Sequence, residues 1–174
     1  MFECVQMHAA VMARVSDADI FVGAAAVADY TIKHPESTKI KKSTEKIQLT
    51  LEKTVDIVAA VAAQASPCFV VGFAAETENV ISYAKEKRER KGCDMIIAND
   101  VSGGRVFGQD EAAVHVITSQ EVRSLPLQSK VTLAQQLVEL ADELVALARV
   151  DGVGVAVRRQ RVGRDRERRR RVAA

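Results

Sequence analysis

The sequence predicts an α/β domain: a mostly parallel sheet with flanking helices and a small antiparallel excursion. The chain is 48% hydrophobic but only 4% aromatic, with no Trp, so its core must come from Val, Ile, Leu and Ala. That is the material of parallel sheets covered on both faces. Two short apolar runs, Cys68–Phe73 (CFVVGF) and Asp94–Ala98 (DMIIA), read as central strands, and helical stretches alternate with them. A length of 174 residues suffices for one domain with a real core.

In chain order, residues 1–16 carry a helical pattern, with Val5, Ala9, Met12 and Ala13 or Val15 on one face. The first clear strand, Asp19–Val27, starts with Ile20-Phe21-Val22, expected to be buried, and runs into Gly23-Ala24-Ala25-Ala26. A doubly wound domain ordinarily has earlier strands before such a helix, so the chain is expected to lack the first strands of its fold. Asp29 and Tyr30 open a polar loop that ends in Lys39-Ile40-Lys41-Lys42. Ile47–Leu51 (IQLTL) alternates like a half-exposed strand. Thr54 is expected to cap a helix through Ala65, with Asp56 in its first turn, and Pro67 ends that segment. After the strand Cys68–Phe73, Thr77 is expected to cap a helix reaching about Lys91, with acids at its start and bases at its end. Beyond Gly103 come glycine turns, an alternating strand (AVHVITS) and a partner at Leu125–Leu127, the antiparallel excursion. The last helix, about Leu133–Ala148, puts Leu133, Leu137, Leu140, Leu144 and Leu147 or Ala148 on one stripe.

Residues 1–150 thus form the domain, and 151–174 a tail expected to be disordered. The tail holds nine arginines against Asp151, Asp165 and Glu167, so the rest of the chain is mildly acidic although the total is +2. With no interleaved aromatics and no RNA-binding module, this arm gives little reason to expect nucleic acid as a partner. Cys4, Cys68 and Cys93 show no CxxC spacing, which fits free thiols in a reducing compartment. No run approaches the ~18 apolar residues of a membrane span, and no signal peptide opens the chain. The expectation is a cytoplasmic, soluble protein.

Several chemistries are disfavoured. His8, His34 and His115 are scattered without metal-ligand spacing. There is no GxSxG elbow, no GxxxxGK[ST] loop and no GxGxxG, which argues against a dinucleotide-binding reductase. Cys93 has no base partner in the sequence. What remains is a strand end of small residues, where a ligand can approach the backbone closely. Asp29 beyond it could bind ribose, a base or a metal, or be an ordinary turn carboxylate. Lys39, Lys41 and Lys42 read either as a solvated charge run or as a flap closing over a polyphosphate. Lys87 and Lys91 share a helix face, while Glu86 four before Arg90 fits a salt-bridged surface helix. Phe73, at a strand end, could flank a planar base or pack in the core.

Taken together and in order, AAAVADY (24–30), KIKK (39–42), VDIVA (55–59), VGFAAET (71–77) and K-x3-K followed by D-x-I-x-AND (Lys87, Lys91, Asp94–Asp100) resemble bacterial phosphopantothenoylcysteine synthetase. The resemblance covers about residues 1–148. In many bacteria that enzyme is the C-terminal half of a bifunctional protein whose other half is a flavin-dependent decarboxylase, to which any FMN would belong. The resemblance implies a Rossmann-like fold and ligation of 4′-phosphopantothenate to cysteine, with CTP and Mg2+, through an acyl-cytidylate. It places Gly23, Ala24 and Ala25 along the nucleotide site and Asp29 on CTP. Lys39 becomes the catalytic flap lysine. Val55, Asp56, Ile57 and Val58 would offer backbone N–H groups, and Phe73, Lys87 and Lys91 complete the site. It further implies a homodimer whose KIKK loops reach across to the partner.

Two departures stand out. Val55 replaces the family's usual proline, and the family's N-terminal portion, with its first strands, a glycine-rich turn and an asparagine that engages the acyl-cytidylate, has no counterpart. The alternative expectation is therefore a non-catalytic nucleotide-binding and dimerisation module that needs a partner to supply that portion.

Overall fold

The two apolar runs become neighbouring parallel strands. The computed structural model describes residues 4–35, 38–39, 47–65, 68–102 and 108–150. Helix α1 (Cys4–Met12) and a 3-10 turn (Val15–Asp17) lead into β1 (Ile20–Gly23). A two-stranded ribbon follows, β2 (Tyr30–Ile32) with β3 (Leu51–Lys53), then α2 (Ile57–Ala62), β4 (Phe69–Glu76), α3 (Val80–Lys91) and β5 (Met95–Asp100). Strands β6 (Glu111–Ile117) and β7 (Val122–Ser129) precede the long α4 (Lys130–Val150).

The main sheet has the order β1-β4-β5-β6-β7. Strand β4 pairs in parallel with both β1 and β5, and β6 and β7 add the antiparallel part. Successive side chains of a strand point to opposite faces, and here both faces are covered. Phe69, Val71, Met95 and Ile97 pack towards Leu133, Leu137, Leu140 and Val145 of α4. Val70, Ala74, Ile96 and Ala98 pack on the other side with Val61 of α2, Ala84 of α3 and Val15. This is why β4 and β5 are apolar at nearly every position. Asp94 ties their starts together: Val70 donates its N–H to the Asp94 carboxylate at 2.7 Å, and Asp94 returns its own N–H to the Val70 carbonyl at 3.0 Å.

The structure corrects several local expectations. Among the described residues strand β1 is an edge of this sheet, paired only with β4, so it is not buried as predicted: Val22 is 49% exposed. Tyr30–Ile32, read as loop, is strand β2; three residues are too few for a period of two to show. Its partner begins at Leu51, four residues later than predicted. Thr54 does not cap α2. Asp56 does, accepting the Ala59 N–H at 3.1 Å, while the Thr54 hydroxyl donates to the Ala28 carbonyl at 2.5 Å. The helix then stops at Ala62 rather than Ala65. Thr77 is not a cap either, because β4 runs on through Glu76 and α3 starts only at Val80, behind Asn79 in the left-handed region (φ 46°).

On α4 the stripe includes Ala141 and Val145, which is 2% exposed, whereas Leu147 is 60% exposed. At about 3.6 residues per turn, Leu147 falls on the flank farthest from Val145. Lys41, Lys42, Pro67, Gly103, Gly104 and the tail 151–174 lie outside the described residues. No helix among those described is long and apolar enough to cross a membrane.

The two ends of that stripe give a direct test. Val145→Ala should cost about 2 kcal/mol of stability by opening a cavity under α4. Leu147→Ala should stay within about 0.5 kcal/mol, as exposed substitutions do. Urea unfolding of both variants measures the difference, and equal effects would contradict the packing described.

Candidate functional site

At the carboxyl end of the parallel strands two glycines sit side by side, Gly23 of β1 in register with Gly72 of β4. Neither position has room to spare. A Cβ on Gly23 would lie 2.7 Å from Val58 Cγ2, and one on Gly72 would lie 3.3 Å from the Cys93 sulfur. The start of α2 therefore packs directly on the backbone of β1, and the two glycines form a ledge of backbone closely covered by Val58 and Cys93. Cys93 lies beneath it, 3% exposed, with burial pushing its thiol up to about 11. It is a neutral packing group rather than a nucleophile.

Beside this ledge opens a cleft of about 490 Å3, within the size range of small-molecule sites. Gly23, Ala24, Ala25 and Asp29 line it from the chain leaving β1. Val55, Asp56, Ile57 and Val58 line it from the entry to α2, with Phe73 from β4 and Lys87 and Lys91 from α3. These are all the residues predicted for the site except Lys39, which is exposed and does not line the cleft. The structure adds Thr54, Arg90 and Asn99. Thr54 holds the cleft's rim: its N–H bonds the Asp29 carbonyl at 3.0 Å and its hydroxyl the Ala28 carbonyl. Arg90 was legible as the third member of an i, i+3, i+4 set with Lys87 and Lys91. Asn99 is the next-to-last residue of β5, at the strand end where open parallel sheets bind ligands.

The charges are arranged by two ion pairs. Lys91 meets Asp56 at 2.8 Å, and Lys87 meets Glu76 at 3.6 Å. Burial raises the Asp56 carboxyl, but the Lys91 ammonium and the Ala59 N–H, with Arg90 farther off, outweigh it and hold the group below its ordinary range. The Glu86–Arg90 pair expected from spacing is not formed. Phe73 shares the strand face of Phe69 and Val71 but is 39% exposed, so its ring is available to a ligand. Among the described residues no cluster of His, Cys, Asp and Glu could hold a metal ion.

Residues 3–144 match the model of the DNA/pantothenate metabolism flavoprotein C-terminal domain. The chain belongs to this family. Within it, the coenzyme A biosynthesis bifunctional protein CoaBC of Haemophilus influenzae is 51% identical over 120 residues, 68% of this chain and 30% of that protein. The corresponding protein of Escherichia coli K12 is 46% identical over 145 residues, 80% of this chain and 35% of that protein. The chain thus spans about a third of these relatives. A crystal structure of the C-terminal domain of CoaBC superposes with a TM-score of 0.64 at 30% identity, over 80% of this chain and 61% of that one. The family's flavoprotein from Streptococcus pneumoniae gives 0.65 at 20% identity, over 82% and 68%, a likeness of fold.

Asp56 offers a pH test of the cleft's framework. Asp56→Asn keeps a capping oxygen but loses the Lys91 pair, and should cost at most about 1 kcal/mol, since the pair is partly exposed and screened. Because the folded carboxyl lies below its ordinary 3.8, the wild-type advantage is present above that pH and fades as pH falls through the lowered value. Urea titrations of both proteins at neutral pH and near pH 3 should show the gap closing; a gap that widens in acid would refute the pairing.

Proposed function

We propose that this chain binds CTP in the cleft and serves the ligation of 4′-phosphopantothenate to cysteine in coenzyme A biosynthesis. The supporting observation is the convergence, in one cleft, of a strand end of small residues, an open aromatic ring and three cations on one helix face. Each meets a different part of a nucleotide. The small residues leaving β1, Ala24 and Ala25, admit close approach of ribose and phosphate to the backbone, Phe73 offers a face to the base, and Lys87, Arg90 and Lys91 offset phosphate charge.

In the proposed reaction the substrate carboxylate attacks the α-phosphorus of CTP, the bond to pyrophosphate breaks, and an acyl-cytidylate forms. The cysteine amine then attacks the acyl carbon and displaces CMP, losing a proton as the amide forms. Lys39 would act from its exposed position as a flap cation closing over the phosphates. Mg2+ fits as a companion of the triphosphate, which needs only one or two protein carboxylates. Asp56 is committed to Lys91 and Ala59, which leaves Asp29 at the cleft. When bound, Mg2+ would supply further neutralisation of phosphate charge.

A homodimer is part of this reading. The β2–β3 ribbon exposes Tyr30, Ile32 and Leu51, and Ile47 and Leu49 just before β3 are exposed as well. Apolar side chains clustered in this way are typical of interaction surfaces. A second reading, a binding and dimerisation module without turnover of its own, draws on the position of β1. The cleft's first wall is an edge strand, and Lys39 stands outside it.

Titration calorimetry of the folded chain with CTP and Mg2+ decides between these outcomes. Micromolar binding, weakened about tenfold by Lys39→Ala through loss of a charge-assisted contact, supports the nucleotide site. Amide formation in the same preparation favours the ligase, and binding without it favours the module. No heat with CTP would refute both. In addition, Leu51→Lys should convert a dimer to monomer in light scattering.

A further inference from the structure

The cations of the cleft are not equivalent. Lys87 and Lys91 are each held by a carboxylate, at 3.6 Å and 2.8 Å. An incoming phosphate gains from either lysine only by competing with Glu76 or Asp56. Arg90 lines the same cleft, is exposed, and makes no ion pair among the described residues. Asp56, the acid on which it acts, is already bonded to Lys91 and the Ala59 N–H. A guanidinium is also the better phosphate partner, because its planar fork can donate two parallel hydrogen bonds where an ammonium acts as a point charge.

We infer that Arg90 is the residue that reads phosphate charge in this cleft, binding the β- and γ-phosphates of a nucleoside triphosphate and setting its preference over the monophosphate. The inference rests on the cleft being a nucleotide site and adds to that reading which side chain recognises the polyphosphate. Its attraction is available without first breaking an ion pair, so it acts at first encounter, while the lysines follow by exchanging carboxylate for phosphate. A competing role exists. Arg90 lies in the last turn of α3, where any cation is stabilised by the free carbonyl ends. That role would affect stability but not the discrimination among ligands of different charge.

The test uses the full chain and its Arg90→Gln and Arg90→Lys variants, with thermal melts beside titrations of CTP, CDP, CMP and inorganic triphosphate in Mg2+. Arg90→Gln should weaken CTP and inorganic triphosphate about tenfold to a hundredfold, the range of a charged hydrogen bond. CDP should lose less and CMP almost nothing, with Arg90→Lys recovering part of the loss and melting points unchanged. Equal weakening of CTP and CMP, no weakening at all, or a lowered melting point with the ligand series intact would overturn the inference. If the wild type binds inorganic triphosphate through Arg90 but not CTP, the nucleotide reading falls and the anion site stands. If it binds neither, both fall.

Discussion

The contact between Val58 and the backbone of Gly23 governs the geometry of the functional end of this molecule. Because a side chain at Gly23 would collide with Val58 Cγ2 at 2.7 Å, α2 can sit directly over the end of β1. That seat fixes where α2 begins. Its beginning fixes Asp56, whose carboxylate both caps the helix and holds Lys91 of α3. One missing Cβ thus links the edge strand, the short helix and the cationic helix into a single cleft. Gly72, packed over Cys93, extends the same ledge onto β4.

Electrostatics in the cleft are restrained before any ligand arrives. Lysines paired with carboxylates cost little to keep partly buried, and they stay oriented along α3. Their pairing also means that a bound anion must displace Asp56 or Glu76, so binding and local rearrangement are coupled. An exposed guanidinium beside them has no such competition. The ribbon contributes differently: Thr54 hydrogen-bonds to the backbone at Ala28 and Asp29, closing the loop that rims the cleft, while the ribbon's apolar side chains stay in solvent.

The family relationship agrees with this architecture. The family match spans residues 3–144, which include every residue of the cleft, and the solved C-terminal domain of CoaBC shares the fold. The chain spans about a third of the CoaBC proteins it matches.

The central strands, the long helices and nearly all the cleft residues were legible in the sequence, because the signals that place them are local. Uninterrupted apolar runs marked β4 and β5. Small residues after Phe21 marked the strand end, and the family motifs fell in order along the chain. What the sequence could not convey depends on neighbours distant in the chain. Whether Thr54 or Asp56 caps α2 is decided by which carbonyl lies within reach of the Thr54 hydroxyl, and that carbonyl belongs to Ala28. Val22 is apolar whether buried or not; its exposure follows from β1 lying at an edge. Arg90 and Glu86 have the spacing of a salt bridge, yet the fold turns Arg90 towards the cleft and leaves the two unpaired. Periodicity determined which residues are strand or helix, while hydrogen-bond competition and strand order, which exist only in three dimensions, decided what those residues touch.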